Sequence, residues 1–350
     1  MYKATIFGVK GLELTSEEKN FFSKEKPIGF ILFSRNIQDK KQLKSLVDSL
    51  RHTIENPKAP ILIDQEGGRV SRLKEPNWFH PPAAAIFGTI ALQNLEDAKE
   101  AAKLNAQIMG HELNEMGINV DCAPVVDIPS KDSNQVIGDR AFGDNITIAT
   151  ELAQAMIDGL NSKGISHIIK HIPGHGRALL DSHFELPHVN AKFSILNESD
   201  FVPFKKLNNA DWAMTAHIIY EDIDPDHPAT LSTKVIDIVR NEIGFKGIII
   251  TDCLTMKALK GKSEENARDA FSAGCDLIIF SRPKIEEMDA IIQQSPILNQ
   301  KQIDIIEKNH PITETADIME LMGRLNGIFK EYGISPCPTG IDPTEQHFEL

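Results

Sequence analysis

Short, nearly continuous apolar runs recur along the chain, separated by amphipathic stretches. They are Ile28–Phe33, Ala59–Asp64, Ile118–Val126, Ile165–Lys170, Trp212–Ala216, Gly247–Asp252 and Cys275–Phe280. Such runs are too short for helices and too apolar for strands with one wet face. Strands of a parallel sheet, buried on both faces, have this character. The stretches between them carry helical spacing. Leu152, Ala153, Met156, Ile157 and Leu160 share one helix face, and so do Val235, Ile238, Val239 and Ile243 after the start signal Ser232-Thr233.

Strand and helix patterns in alternation imply βαβ units. Seven or eight such units fit a closed barrel better than an open dinucleotide-binding sheet, and no G-x-G-x-x-G follows an early strand. The fold class expected is therefore α/β, a single TIM-type (β/α)8 barrel with a C-terminal helix and tail. No Pro-, Gly- or Ser-rich linker divides the chain, and no internal repeat is visible. Residues 1–334 are expected to form one catalytic barrel domain, ending in a helix over 313–330. From Ser335 the sequence carries Pro336, Pro338, Gly340 and Pro343, so 335–350 is expected to be an irregular, partly disordered tail.

Charge narrows the partners. A formal charge of −13 disfavours a phosphate backbone and an anionic lipid surface. Cys122, Cys253, Cys275 and Cys337 show no C-x-x-C pair, which speaks against a disulfide framework or a cysteine zinc site. The N-terminus has no charged region followed by an apolar one, and no apolar run approaches the ~20 residues of a membrane span. The compartment expected is the cytoplasm.

In a barrel of this type the site lies at the C-terminal ends of the strands. Asp64, Lys170, His217 and Asp252 stand at or just after apolar runs. His171 and His175 are four apart, a zinc-like spacing on a helix, but Pro173 and Gly174 between them break one. His175 and His188 read more simply as structural or solvated side chains. Asp181-x-His183 is different: a carboxylate two residues before a histidine can fix its tautomer and stabilise the imidazolium. Gly174 and Gly176 are expected as hinges of that loop. Asp252 ends the run Gly247–Thr251. A cap on the next helix would explain it, but a carboxylate at a strand mouth is costly without a function or hydrogen bonds.

These residues also carry a resemblance. Lys170-His-Ile-Pro-Gly-His-Gly, followed by Asp181-Ser-His183, resembles the signature loop of the bacterial β-N-acetylglucosaminidases of glycoside hydrolase family 3. Arg240-x-Glu242, then Gly247-Ile-Ile-Ile-Thr-Asp252, resembles the family's nucleophile motif. Ile63-Asp64-Gln-Glu-Gly-Gly-Arg69-Val-x-Arg72 and Leu32-Phe-x-Arg35-Asn36 resemble two further blocks.

The resemblance implies roles. Asp252 would be the nucleophile, and His183, supported by Asp181, the acid/base. Asp64, Arg72, Arg140, Lys170 and His171 would hold the sugar's hydroxyls and N-acetyl group, with His217 lining the same pocket. The substrate implied is a terminal β-linked N-acetylglucosamine on cytoplasmic cell-wall fragments carrying anhydro-N-acetylmuramic acid. Relatives often carry a second acid after the nucleophile. Cys253 stands there in this chain, so the pocket rim is expected to differ.

No cofactor and no metal are needed, and the chain is expected to act as a monomer on a small carbohydrate. Three rivals are a metal-dependent hydrolase built on His171, His175, His183 and Asp252, a non-catalytic sugar-binding protein, and a Schiff-base aldolase using Lys170. The last requires a desolvated lysine, whereas Lys170 has polar neighbours in sequence.

Overall fold

The computed structural model describes residues 1–130, 136–308, 310–335 and 342–344. Eight parallel strands close into a barrel in sequence order. They are β1 (Lys3–Gly8), β2 (Pro27–Leu32), β3 (Ile61–Ile63), β4 (Val120–Asp121), β5 (Ser166–Ile172), β6 (Trp212–Thr215), β7 (Ile248–Cys253) and β8 (Leu277–Phe280). Closure is made by β1 on β8, with Thr5 opposite Ile278. The single-barrel expectation holds.

Parity along each strand explains why the runs are apolar throughout. Ile6, Leu62, Val120, Ile168, Trp212, Ile248, Ile250, Leu277 and Ile279 form one buried cluster inside the barrel. Their neighbours Phe7, Ile61, Ile63, Ile169, Ala213, Ile249, Ile278 and Phe280 belong to a second cluster, under the helices. Successive strand side chains point to opposite faces, and here both faces are buried.

The helices expected from periodicity are Ile146–Ser162 and Thr233–Asn241. Ser232 caps the second, its hydroxyl accepting from Val235 N at 3.2 Å, worth about 1 kcal/mol. No helix among the described residues is long and apolar enough to cross a membrane.

Three boundaries differ from expectation. β1 begins at Lys3, although the N-terminal segment carries only a short apolar stretch. β4 keeps two residues of the run 118–126. Pro124 has no backbone N–H to donate, but the chain stays beside β5: Ala123 O and Pro124 O accept from Ile168 N and Lys170 N at 3.1 and 3.2 Å, and Val126 N donates to Lys170 O at 2.9 Å. The C-terminal helix spans Ile318–Glu331, not 313–330, because Asp317 caps it, accepting from Met319 N at 2.8 Å. The segment before it is extended and held elsewhere: Thr313 N donates to Ser162 O at 2.9 Å.

The expected tail lies mostly outside the described residues, including Pro336, Cys337, Pro338 and Gly340. Asp342–Thr344 is described and contacts the barrel mouth. Cys122, Cys253 and Cys275 are buried free thiols.

Candidate active site

Strand parity delivers three polar residues to the barrel mouth. Asp64 lies two residues beyond inward Leu62, Lys170 two beyond Ile168, and Asp252 two beyond Ile250. Each therefore continues the inward face where the barrel opens. All three border one cavity, together with Arg140, His171, His175, Ser182, His183, Cys253 and Thr344. Its free volume is about 40 Å³.

One wall is an ion-pair cluster. Lys170 Nζ lies 2.9 Å from Asp64 Oδ1 and 2.6 Å from Glu66 Oε1. Arg140 grips Glu66 bidentately, Nε to Oε2 at 2.7 Å and Nη2 to Oε1 at 2.8 Å. Arg72 Nη2 donates to Asp64 Oδ2 at 3.1 Å. Burial disfavours both carboxylates, yet the adjacent cations outweigh it and hold Asp64 and Glu66 below the usual range. Burial likewise opposes the charge on Lys170, but Asp64 and Glu66 raise its pKa above that of a free lysine. It is a fixed ammonium, which removes the Schiff-base reading.

Glu66 is the member of this wall that the chain pattern did not single out. It sits on Gln65–Gly67, the first strand of a small antiparallel hairpin that continues from β3. That hairpin also carries Arg72 back over Asp64.

The histidines have separate partners. His171 Nδ1 lies 2.7 Å from Asp127 Oδ2, and Asp127 Oδ1 accepts from His175 N at 2.6 Å. Asp127 is fully buried. Burial opposes its ionisation, but His171 and the surrounding donors lower its pKa. A signal for Asp127 existed, since it directly follows the apolar run ending at Val126. His175 is buried, with Nε2 3.1 Å from Ser182 Oγ. Burial first, and the neighbouring His171 second, push its pKa down to about 4. His188 is exposed and meets Glu221 at 2.5 Å, away from the cavity lining.

Gly174 and Gly176 are not simple hinges. A Cβ on Gly176 would lie 1.9 Å from Ile128 O, and Gly174 has φ +139° against Asp200. Both glycines permit close backbone packing that anchors the loop.

The Asp181–His183 pair forms as spaced. His183 Nδ1 lies 2.7 Å from Asp181 Oδ1, which also accepts His183 N at 2.9 Å. Burial opposes ionisation of Asp181, and its bonds to His183 reverse that and lower its pKa. The loop is tied to the segment after β7 by Lys257 N to His183 O and Ala258 N to Ser182 O, each 3.3 Å. That couples the dyad to the strand carrying Asp252.

Asp252 Oδ1 accepts its neighbour's N–H, Cys253 N, at 2.7 Å. Burial raises its pKa, while His217, His171, His183 and that N–H together bring it below the usual range. It is an anion facing the cavity. Cys253 Sγ donates to Ser281 Oγ at 2.9 Å, so the thiol is part of the rim.

His217 stands behind the wall rather than in it. It is fully buried, with Nδ1 2.7 Å from Thr230 Oγ1 and Nε2 3.1 Å from Cys253 O. Both ring nitrogens are committed to the scaffold, and His217 is absent from the cavity lining.

Among the described residues, one trio brings His or acidic ligand atoms within 4.8 Å of one another: His167, Asp211 and His310. It lies at the opposite end of the barrel, where β5 starts and β6 is about to begin. Asp211 Oδ1 already holds Lys308 at 2.7 Å, and Oδ2 holds His310. This network pins the segment entering the C-terminal helix. Of the four residues of the metal-hydrolase reading, His171 and His183 each give Nδ1 to a carboxylate, His175 gives Nε2 to Ser182, and Asp252 Oδ1 accepts from Cys253 N.

An anionic carboxylate and a carboxylate-oriented imidazole thus line one polar cavity at the C-terminal mouth of a (β/α)8 barrel, a pair suited to acid/base chemistry. The chain belongs to the Glycosyl hydrolase family 3, matching the family's N-terminal domain over residues 6–309. It is a glycoside hydrolase. A protein named Beta-hexosaminidase from Haemophilus ducreyi is 36% identical over 317 residues, covering 88% of this chain and 90% of that protein. Another of that name from Alkalilimnicola ehrlichii is 35% identical over 296 residues, covering 83% and 84%. NagZ from Neisseria gonorrhoeae superposes with a TM-score of 0.84 at 30% identity, covering 93% of this chain and 98% of that one. That protein has also been crystallised in complex with N-trifluoroacetyl-D-glucosamine.

Proposed function

We propose that this chain is a retaining β-N-acetylhexosaminidase that removes terminal, non-reducing β-linked N-acetylglucosamine. The observation that carries the reading is the cavity shared by Asp252 and His183, with Asp181 on the imidazole and Asp64, Lys170, Arg140 and His171 in the wall. The names of the relatives support the same substrate class.

In the first step protonated His183 gives its Nε2 proton to the glycosidic oxygen. The Asp252 carboxylate attacks the anomeric carbon as that bond breaks, forming a glycosyl-enzyme. In the second step neutral His183 takes a proton from water. The water oxygen attacks the same carbon and releases Asp252, so the configuration is retained after two inversions. A single group serves as acid and then base, which suits an imidazole. Asp181 holds the tautomer with Nδ1 protonated, leaving Nε2 for the exchange.

Asp64, Arg72, Arg140, Lys170 and His171 hold the hydroxyls and the N-acetyl group, by charge-assisted hydrogen bonds. His217 supports this wall from behind. The preferred aglycone is a cytoplasmic peptidoglycan fragment bearing anhydro-N-acetylmuramic acid. The working form is a monomer, its catalytic unit residues 1–334.

The test is a side-by-side assay on nitrophenyl β-N-acetylglucosaminide, nitrophenyl β-glucoside and an anhydromuropeptide. Turnover of the first and third, with the glucoside poor, is expected. Preference for the glucoside, or inverted product on NMR, would overturn the proposal.

A further inference from the structure

The described part of the C-terminal tail sits in the mouth of the site. Arg72 Nη1 pairs with the carboxylate of Asp342, and Arg72 Nη2 donates to Thr344 Oγ1 at 2.7 Å. Thr344 folds back on the same acid: its N and its hydroxyl donate to Asp342 Oδ1 at 2.8 and 2.7 Å. Asp342 and Thr344 thus meet one guanidinium as a compact polar turn. The contact is enclosed, since the side chain of Arg72 is fully buried and that of Asp342 is 7% exposed.

The seat matters because of what Arg72 does next. Its Nη2 also reaches Asp64, which is joined to Lys170 in the wall of the cavity. Thr344 borders that cavity beside Asp64, Lys170 and Asp252. With the tail in place, about 40 Å³ is free, room for about three water molecules and far too little for a hexosamine. The Thr344 hydroxyl on this buried guanidinium is the kind of oxygen partner that a sugar's hydroxyls supply.

We propose that Asp342 and Thr344 act as a built-in competitor, occupying the Arg72 end of the sugar site until substrate displaces them. This rests on the N-acetylglucosaminidase reading for the identity of the displacing ligand, though not for the seating of the tail. An attached competitor works at a high effective concentration, so a weak contact is enough. Its cost is a higher apparent KM, the intrinsic value divided by the fraction of molecules with the tail out. Neither residue reaches the anomeric centre, so kcat is spared.

The test uses the full-length chain and the double variant Asp342→Ala/Thr344→Ala. KM for nitrophenyl N-acetylglucosaminide should fall about threefold or more, with kcat unchanged. Hydrogen-exchange mass spectrometry provides a sugar-free readout. The tail peptide should be protected in the wild type, deprotected by added N-acetylglucosamine, and unprotected in the variant without sugar. An unchanged KM overturns the proposal. So does a raised KM, which would make the tail a wall that grips the sugar. If neither protein turns over any N-acetylglucosaminide, the substrate reading fails, and the wild-type-to-variant exchange difference still decides the seat at Arg72: equal exchange in the two overturns it.

Discussion

Asp127 holds His171 through Nδ1 at 2.7 Å, the same separation at which Asp181 holds His183. The site thus contains two carboxylate–imidazole pairs. One is built from residues two apart in a loop, the other from residues 44 apart on neighbouring strand ends. Asp127 also accepts the backbone N–H of His175, so it fixes the start of the loop that carries His183 as well as one ring. Asp127→Asn puts an amide N–H against donors that now meet a carboxylate. kcat/KM should fall about 100-fold, because a misplacement near 1 Å costs that much. Steady-state kinetics with circular dichroism checks it. A folded variant with wild-type kinetics would show that His171 needs no such partner.

The acid/base assignment has its own kinetic signature. A sugar leaving group needs a proton and a nitrophenolate needs little help, whereas activation of water always needs the base. His183→Ala should lose nearly all activity on natural disaccharides. On nitrophenyl N-acetylglucosaminide it should show a burst equal to the enzyme concentration, then a slow steady state. Asp181→Ala should give a milder form, since the imidazole remains but is poorly oriented. Asp252→Ala should give no burst. Stopped-flow absorbance on the three variants tests this, and wild-type rates for His183→Ala on both substrates would refute the mechanism.

Glu66 has a structural charge to balance. It receives Arg140 at two oxygens and Lys170 at one, all buried. Glu66→Gln leaves two buried cations short of an anion. Destabilisation of about 3 kcal/mol or more is expected, the range for breaking a buried pair by removing one partner. Urea unfolding at neutral pH measures it. A loss below about 1 kcal/mol would mean that water or Asp64 takes over the compensation.

Acid should weaken the fold through buried neutral histidines. His175 and His167 are each pushed from 6.5 down to about 4, by burial before any other cause. Between those pH values the unfolded chain binds protons that the folded chain does not. Stability from these groups is therefore complete above pH 6.5 and lost as pH falls towards 4, by about 3 kcal/mol each. Glu112 acts in the opposite sense. Burial raises it from 4.5 to about 7, so its contribution is present below 4.5 and lost as pH rises through 7. Two histidines outweigh one glutamate, and net stability should drop on acidification. His175→Gln should flatten the slope between pH 6.5 and 4 in urea titrations. A slope identical to that of the wild type would remove His175 from this account.

The sequence by itself determined the barrel and the positions of its chemistry. Apolar runs buried on both faces specify parallel strands, and period-two parity then aims Asp64, Lys170 and Asp252 inward from Leu62, Ile168 and Ile250. The Asp181–His183 pair was legible because both partners lie within one turn of chain. Glu66–Arg140, Asp127–His171 and Arg72–Asp342 were not, being 74, 44 and 270 residues apart. Nor could local pattern show that His217 spends both nitrogens on Thr230 and Cys253, or that Gly176 makes room for Ile128. Such contacts depend on which strand ends become neighbours when the barrel closes. Local spacing records the direction in which a side chain leaves its strand, whereas its partner is set by register and closure across the sheet.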